Sequence, residues 1–122
     1  MFEKRAEMDS LNSEAHIESA KADYSKAIEL DGSYFDAYYN MGAMIYNQAI
    51  AYMMLVNEIK DNTKYANEKK VADEIFKSSL PYLEKAHELN PSDRSTMISL
   101  KELYGKTNNT EKWQEFKAKL EN

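Results

Sequence analysis

The feature that most limits the fold of this chain is a stretch of sequence that occurs twice. Residues 25–32, Ser-Lys-Ala-Ile-Glu-Leu-Asp-Gly, parallel residues 83–91, Leu-Glu-Lys-Ala-His-Glu-Leu-Asn-Pro. Ala27 corresponds to Ala86 and Gly32 to Pro91, so both pairs are 59 residues apart. Each stretch indicates the end of a helix, because Gly and Pro are residues that stop helices. The chain therefore contains an internal duplication built on helices.

The duplication continues beyond the two breakers. Six residues after Gly32, and again six residues after Pro91, a pattern of mostly large residues begins. Since residues three and four apart share one face of a helix, each copy predicts a further helix. The positions are Tyr38, Met41, Gly42 and Ile45 in the first copy, and Met97, Leu100, Lys101 and Tyr104 in the second.

Composition favours an all-α fold in a single domain over residues 1–122. The chain has only three Gly and two Pro, and its 43% hydrophobic and 30% charged residues are ordinary for a globular protein. Few turn signals predict few, long elements. The predicted helices cover residues 13–30, from Tyr34 or Phe35 to about Asp61, from about Ala66 to Leu89, from Ser92-Asp93 to about Gly105, and from Glu111 to the end, with residues 2–11 also helical.

With these helices in place, the chain resembles the tetratricopeptide-repeat (TPR) family. That family repeats a helix pair of 34 residues, with a large residue, Leu-Gly and Tyr on the first helix and Ala, an aromatic residue and Pro further on. The two duplicated patterns match the first helix, although Lys101 replaces the Gly. The ending Leu-Pro-Tyr-Leu-Glu-Lys-Ala before Asn-Pro is similar to the C-terminal repeats of TPR proteins from Bacteroidetes bacteria. Second-helix positions are matched by Ala20, Tyr24 and Ala27, and more loosely by Ser79, Leu83, Ala86 and Pro91.

The resemblance implies antiparallel helix pairs that form a short right-handed superhelical array. Residues 13–32 would be the second helix of a first repeat, 33–91 an expanded repeat, and 92–122 the last helix pair with its cap. The spacing of 59 residues exceeds the repeat of 34 by 25, so we expect an elongated middle pair with its tip at Asp61–Asn67. Residues 2–11 match a first helix poorly, so the chain resembles the end of a longer array.

Individual residues add three local expectations. Gly32 suits the left-handed conformation that often follows a helix. Pro81 lies inside a predicted helix, where it removes a hydrogen bond and crowds the carbonyl of Lys77, so we expect a kink eased by Ser78 or Ser79. Trp113 stands where the family has a small Ala, in a last helix whose apolar residues alternate with Lys and Glu.

Charge and hydropathy argue against several classes of partner. The formal net charge is −5 and the tight basic pairs are few, so we expect neither nucleic-acid binding nor docking to an anionic membrane surface. The longest apolar run, Ala49–Val56, is far shorter than the roughly 20 residues that span a bilayer. No signal peptide is visible, which predicts a cytoplasmic location if the chain is complete and allows a periplasmic one if it is a fragment of an exported protein.

Catalytic signatures are weak. The chain has no Cys, and its two His residues, His16 and His87, fall on different predicted helices. Glu84 lies three residues from His87, but one such pair is weak evidence for a metal site, so we predict a solvated His87. We predict no catalytic residue, no metal, no cofactor and no enzymatic activity.

The second predicted helix is apolar on two sides. A helix with one buried face needs only one apolar stripe. The second apolar stripe therefore has two possible roles. It packs on other helices of the same chain, or part of it stays exposed as an adaptable Met- and Tyr-rich binding surface. The first stripe is Tyr38, Met41, Ile45, Ala49, Tyr52, Val56 and Ile59, and the second is Tyr39, Ala43, Tyr46, Ile50 and Met53 or Met54.

The resemblance to TPR proteins implies a peptide-binding groove lined by first-helix side chains. Some TPR domains use basic side chains there to hold a C-terminal carboxylate. Asp36 and Glu102 are acidic here, so we expect an apolar or basic peptide instead. The predicted function is a non-catalytic scaffold for a protein or peptide partner, with self-assembly into a homo-oligomer as the alternative. The predicted partner-binding residues are Asp36, Tyr39, Ala43, Tyr46, Asn47, Ile50, Met53, Ser95, Ile98 and Glu102, with Lys106 at the end of the same stripe.

Overall fold

The computed structural model describes residues 15–32 and 34–121, which form five α-helices and, over these ranges, no strand. The all-α prediction is confirmed. The predicted helix over residues 2–11 and the start of the next at Ser13 lie outside the described residues. None of the described helices is long and apolar enough to cross a membrane. The helices are α1 (Ala15–Leu30), α2 (Phe35–Val56), α3 (Asn62–Leu89), α4 (Arg94–Lys106) and α5 (Thr110–Glu121).

Each described helix packs mainly on its neighbour in the chain. The contacts join α1 to α2, α2 to α3, α3 to α4 and α4 to α5, and those between α2 and α3 are the most extensive. Helices α2 and α3 have 22 and 28 residues, whereas α4 and α5 have 13 and 12. At 1.5 Å per residue the central hairpin is therefore roughly 33–42 Å long, about twice the length of the hairpin that follows it.

The turn between α2 and α3 comes earlier than predicted. Helix α2 ends at Val56 and α3 begins at Asn62, so the predicted tip at Asp61–Asn67 is wrong by about one helical turn. The carboxylate of Asp61 accepts a hydrogen bond from the backbone N–H of Lys64 at 2.8 Å. An Asp in this position starts a helix rather than ending one, because it satisfies a free N–H of the first turn.

The first apolar stripe of α2 forms much of the core. Its five central members are buried, and its ends at Tyr38 and Ile59 are half-buried. This is the outcome that the helical spacing predicted. The buried members are Met41, Ile45, Ala49, Tyr52 and Val56.

Gly42 packs directly against α3. A Cβ atom built on Gly42 would lie 2.5 Å from the Cγ atom of Leu83, whose side chain is 0% exposed. Real Cβ atoms do not come that close to another carbon. The absence of a side chain at Gly42 therefore lets α2 and α3 approach closely at this position.

One of the local expectations turns out differently. No described Gly has a positive φ, so the left-handed conformation predicted for Gly32 is wrong. The left-handed residue is instead Asn108, with φ of 61°, in the turn after α4, where the N–H of Asn109 bonds to the carbonyl of Tyr104 at 2.8 Å. Asn is among the few residues other than Gly that adopt this conformation readily.

Helix α3 runs without interruption through Pro81. The hydroxyl groups of Ser78 and Ser79 donate to the carbonyl oxygens of Ile75 and Phe76, at 2.7 and 2.6 Å. Both serines therefore bond to carbonyls in the turn preceding the proline, where local relief was expected. The kink itself stays a prediction.

Helix α5 covers the end of the core with one face. Phe116 is buried, and Trp113 and Leu120 are half-buried against the same cluster of side chains. A Cβ atom on Gly105 would lie 3.1 Å from the Cδ1 atom of Trp113. The large indole of Trp113 is thus accommodated by a glycine on α4.

Candidate functional site

The predicted partner-binding residues occupy two helices that lie on either side of α3 in the chain. Seven are on α2 and three on α4, and we call the set the α2–α4 surface. None of them is fully buried. Exposed members are Asp36, Asn47, Ser95, Ile98 and Glu102, and half-buried members are Tyr39, Ala43, Tyr46, Ile50 and Met53.

One hydrogen bond joins the two parts of this surface. The hydroxyl of Tyr46 donates to the carboxylate of Glu102 at 2.7 Å. Burial raises the pKa of Tyr46 well above its ordinary value, and the bond to Glu102 raises it further. The phenol therefore stays a protonated donor at neutral pH. The sequence placed both residues on first helices of the predicted repeats, and the structure shows that they contact each other.

The second apolar stripe of α2 is half-buried rather than wholly buried or wholly exposed. Tyr39, Tyr46, Ile50 and Met53 all pack against the main core cluster. All four residues nevertheless stay partly exposed, whereas Met54 is 65% exposed. Each of the two alternatives for this stripe therefore describes part of it, and Met53 rather than Met54 completes it.

Charge on the α2–α4 surface is mainly negative. Asp36 and Glu102 carry its two carboxylates. Lys106, which follows on the same stripe of α4, lies with its Nζ atom 5.3 Å from the centre of the Phe76 ring. This cation–π contact engages the lysine within its own chain, which weakens its use as an anchor for a carboxylate.

Tyrosine–glutamate hydrogen bonds connect the three central helices to each other. Besides the bond between α2 and α4, one such pair links α2 to α3 and another links α3 to α4. Sequence patterns did not reveal these pairs, because their members lie 16 to 56 residues apart. The two further pairs are Tyr52 with Glu68 at 2.5 Å and Tyr104 with Glu84 at 2.6 Å.

The described residues also form two clefts, which the sequence did not predict. The first, the α1–α2 cleft, has a volume of about 240 Å³. The second, the α3–α5 cleft, has a volume of about 220 Å³ and is built from α3, α4 and α5. The α1–α2 cleft is lined by Asp23, Tyr24, Ala27, Tyr34, Asp36, Ala37 and Asn40, and the α3–α5 cleft by Glu84, His87, Leu100, Tyr104, Lys112, Glu115, Phe116 and Lys119.

His87 lies half-buried in the α3–α5 cleft, so the prediction of a solvated side chain holds only in part. Its ring packs edge-on against Phe116, with 5.1 Å between ring centres, and its buried Nδ1 atom has no hydrogen-bond partner among the described residues. Burial lowers the pKa of His87, as does the nearby charge of Lys119, while Glu115 acts in the opposite direction. The pattern of α3 alone could not show this, because the covering residues come from α5.

The described residues contain no group of three or more His, Asp or Glu side chains arranged to hold a metal ion. Glu84 and His87 do line one cleft, as their spacing of three residues allows. Glu84, however, already accepts the hydrogen bond from Tyr104. The pair therefore contributes to packing around Tyr104 and Phe116.

Comparison of the chain with models of protein families, with curated proteins and with solved structures gave no match in any of the three.

Proposed function

We propose that the chain is a non-catalytic protein-interaction module of the TPR type, which binds a peptide or protein segment on its α2–α4 surface. The observation that carries the proposal is the half-exposed row of Tyr, Ile and Met side chains on α2, bonded to α4 through Tyr46 and Glu102. Aromatic and Met side chains that are held by a core yet remain accessible suit protein binding, because they offer apolar contact area at little entropic cost.

Three features support the TPR assignment. Consecutive helices pack pairwise through short connections, as a helical repeat array requires. Gly42 stands at the Gly position of the family pattern and contacts Leu83, a second-helix pattern position. The central hairpin is about twice as long as the hairpin of α4 and α5, in agreement with an expanded middle repeat.

The chemistry of the surface favours a segment with apolar and basic side chains. Ile98 is 45% exposed and provides an open aliphatic contact on α4. Asp36 and Glu102 attract positive charge, whereas Lys106 is held over Phe76. Such a surface repels acidic segments and has no free basic fork for a terminal carboxylate.

Selection from a displayed random-peptide library tests the proposal and requires no candidate partner. We expect enriched peptides that combine aliphatic or aromatic residues with at least one Lys or Arg. Ile98→Glu places a charge in the middle of the surface without removing a core side chain, so it is expected to lower the affinity of these peptides at least tenfold. Leu30→Glu is the matched control, since Leu30 is 80% exposed and lies on α1, which contributes no residue to the surface.

The two variants separate the possible results. Equal binding of the selected peptides by wild type and Ile98→Glu would remove the α2–α4 surface as the site. Loss of binding in Leu30→Glu alone would move the site to α1. Thermal unfolding of each variant checks that a loss of binding does not come from a loss of fold.

Self-assembly is the second candidate, and the end of α1 favours it. Leu30 is 80% exposed and Tyr34, just beyond the turn, is 46% exposed, so two large apolar side chains are open to another molecule. Light scattering over a wide concentration range tests this function. A dimer that Leu30→Glu converts to a monomer would support it, and a monomer at all concentrations would contradict it.

A further inference from the structure

We propose that the α1–α2 cleft binds the cationic side chain of an Arg or Lys residue in a protein segment. The site is distinct from the α2–α4 surface and shares only Asp36 with it. It rests on the proposed function in one respect, namely that the cation belongs to a bound protein segment.

The lining of the cleft combines negative charge with aromatic rings. Asp23 and Tyr24 come from α1, and Tyr34 and Asp36 from the start of α2 and the residue before it. No Lys, Arg or His is among the described residues that line the cleft. Carboxylates bind guanidinium and ammonium groups through charge-assisted hydrogen bonds, and the faces of Tyr rings attract the same cations.

Nothing in the described part of the chain balances the negative charge in this cleft. Within the described part of the chain, neither Asp23 nor Asp36 makes an ion pair or a side-chain hydrogen bond. The α3–α5 cleft shows the opposite arrangement. There the carboxylate of Glu115 pairs with Lys112 at 3.6 Å and with Lys119 at 3.5 Å. Of these two clefts, the α1–α2 cleft is the one with charge complementary to an external cation.

The volume and the apolar walls of the α1–α2 cleft fit one side chain rather than a larger ligand. The volume of about 240 Å³ is below the roughly 300–1,000 Å³ of pockets that take drug-sized molecules. Ala27 and Ala37 provide small apolar walls. The methylene groups of Arg or Lys can lie along such walls while the charged end meets the carboxylates.

An NMR titration of the whole chain with N-acetyl-arginine amide tests the site directly. We expect saturable shifts of the backbone amides of Tyr24, Ala27, Tyr34 and Ala37. For about 15 non-hydrogen atoms, ordinary ligand efficiency gives a Kd on the order of 1 mM. N-acetyl-citrulline amide, which has nearly the same shape and no charge, is expected to bind at least tenfold more weakly.

Charge variants show whether the two carboxylates are responsible. The double variant Asp23→Asn/Asp36→Asn is expected to weaken binding of the arginine probe at least tenfold. The control Glu29→Gln/Glu121→Gln removes the same net charge from exposed positions outside the cleft and is expected to bind like wild type. All four substitutions are on exposed side chains, and a dispersed amide spectrum verifies that each variant is folded.

Several outcomes would overturn the site. The first three are absence of saturation by the arginine probe, equal binding of the citrulline probe, and an equal loss of binding in both double variants. The fourth is a set of shifts at the same amides that grow with protein concentration alone, which would indicate a second copy of the chain in the cleft. If the α2–α4 surface is not a peptide-binding site, the results will differ from these. In that case the arginine probe still saturates the cleft, while selected peptides bind wild type and Ile98→Glu alike.

Discussion

Replacement of Gly42 by Ala tests how closely α2 and α3 are packed. The added methyl carbon would lie 2.5 and 2.8 Å from the Cγ and Cδ2 atoms of Leu83 and 3.3 Å from its backbone nitrogen. Leu83 is 0% exposed, so its side chain has little room to move away. Because the backbone is also close, a change of rotamer alone cannot remove the conflict, and the two helices have to separate.

Two opposing effects determine the size of the change. Ala is favoured over Gly inside a helix by about 1 kcal/mol. Overpacking of a well-filled core costs about 1–3 kcal/mol, and the upper part of that range applies where backbone has to shift. We therefore expect Gly42→Ala to lower the free energy of unfolding by about 1–2 kcal/mol, and Tm by roughly 5–10 °C.

The other two glycines are matched controls. A Cβ atom on Gly32 meets no atom closer than the carbonyl oxygen of Ile28 at 4.0 Å, and its φ is not positive, so Gly32→Ala is expected to be neutral or to stabilise by up to about 1 kcal/mol. Gly105→Ala brings the methyl group to 3.1 Å from Trp113, which is half-buried and can adjust. Its effect should lie between those of Gly32→Ala and Gly42→Ala.

Urea unfolding followed by far-UV circular dichroism measures these differences. Leu83→Ala alone is expected to cost about 2–5 kcal/mol because it leaves a cavity. In that background the two side-chain contacts are gone and only the 3.3 Å contact with the backbone nitrogen remains, so Gly42→Ala should cost much less than in the wild type, which gives a clear coupling energy in the double-mutant cycle. A stabilising Gly42→Ala in the wild type, or the same cost in both backgrounds, would refute close packing at this position.

Three further predictions concern capping, protonation and a buried hydrogen bond. Asp61→Ala and Asp93→Ala each remove an N-cap worth about 1 kcal/mol in urea unfolding, and Asp93→Ala should cost more, because Asp93 accepts from both the N–H and the hydroxyl of a buried threonine. The lowered pKa of His87 means that the folded state binds its proton less readily than the unfolded chain, so stability is retained above pH 6.5 and declines as pH falls below it towards the folded pKa. Unfolding free energies measured between pH 7.5 and about 5 should therefore fall less steeply for His87→Gln than for wild type, and parallel curves would contradict this cause. Tyr52→Phe should lower the free energy of unfolding by about 1.5–3 kcal/mol, because it removes a donor from the carboxylate of Glu68, which is 8% exposed. Equal unfolding free energies for the variant and the wild type would argue against that bond.

Local signals were sufficient to predict most helix boundaries. The capping residue Asp93 and the turn after Gly105 placed α4 within a residue, and the helical spacing of the first apolar stripe identified the buried face of α2. The tip of the central hairpin was misplaced because Asp61 can end one helix or start the next. Helix α2 ends at the buried Val56, so it is the packing of α2 on α3 that makes Asp61 the start of α3 rather than the end of α2.

Features that depend on how different helices are placed relative to one another could not be predicted from the sequence. The position of His87 is set by Phe116 on α5, and the bond between Tyr46 and Glu102 spans 56 residues. The α1–α2 cleft likewise requires the relative placement of Asp23 and Asp36, which no periodicity records. Stripes along one helix predict which residues share a face, but not which face of another helix they meet.

The order of helix packing has a consequence for how the chain folds. Since contacts join mostly consecutive helices, the described part of the chain has few pairings that require the closure of a long loop. Chains with such local contacts fold rapidly, in microseconds to milliseconds for helical domains. The hairpin of α2 and α3 needs only the five residues 57–61 to close and has the most extensive interface, so it is the natural place for folding to begin. The longest helices of the molecule would then be the first to form and the template on which the shorter ones dock.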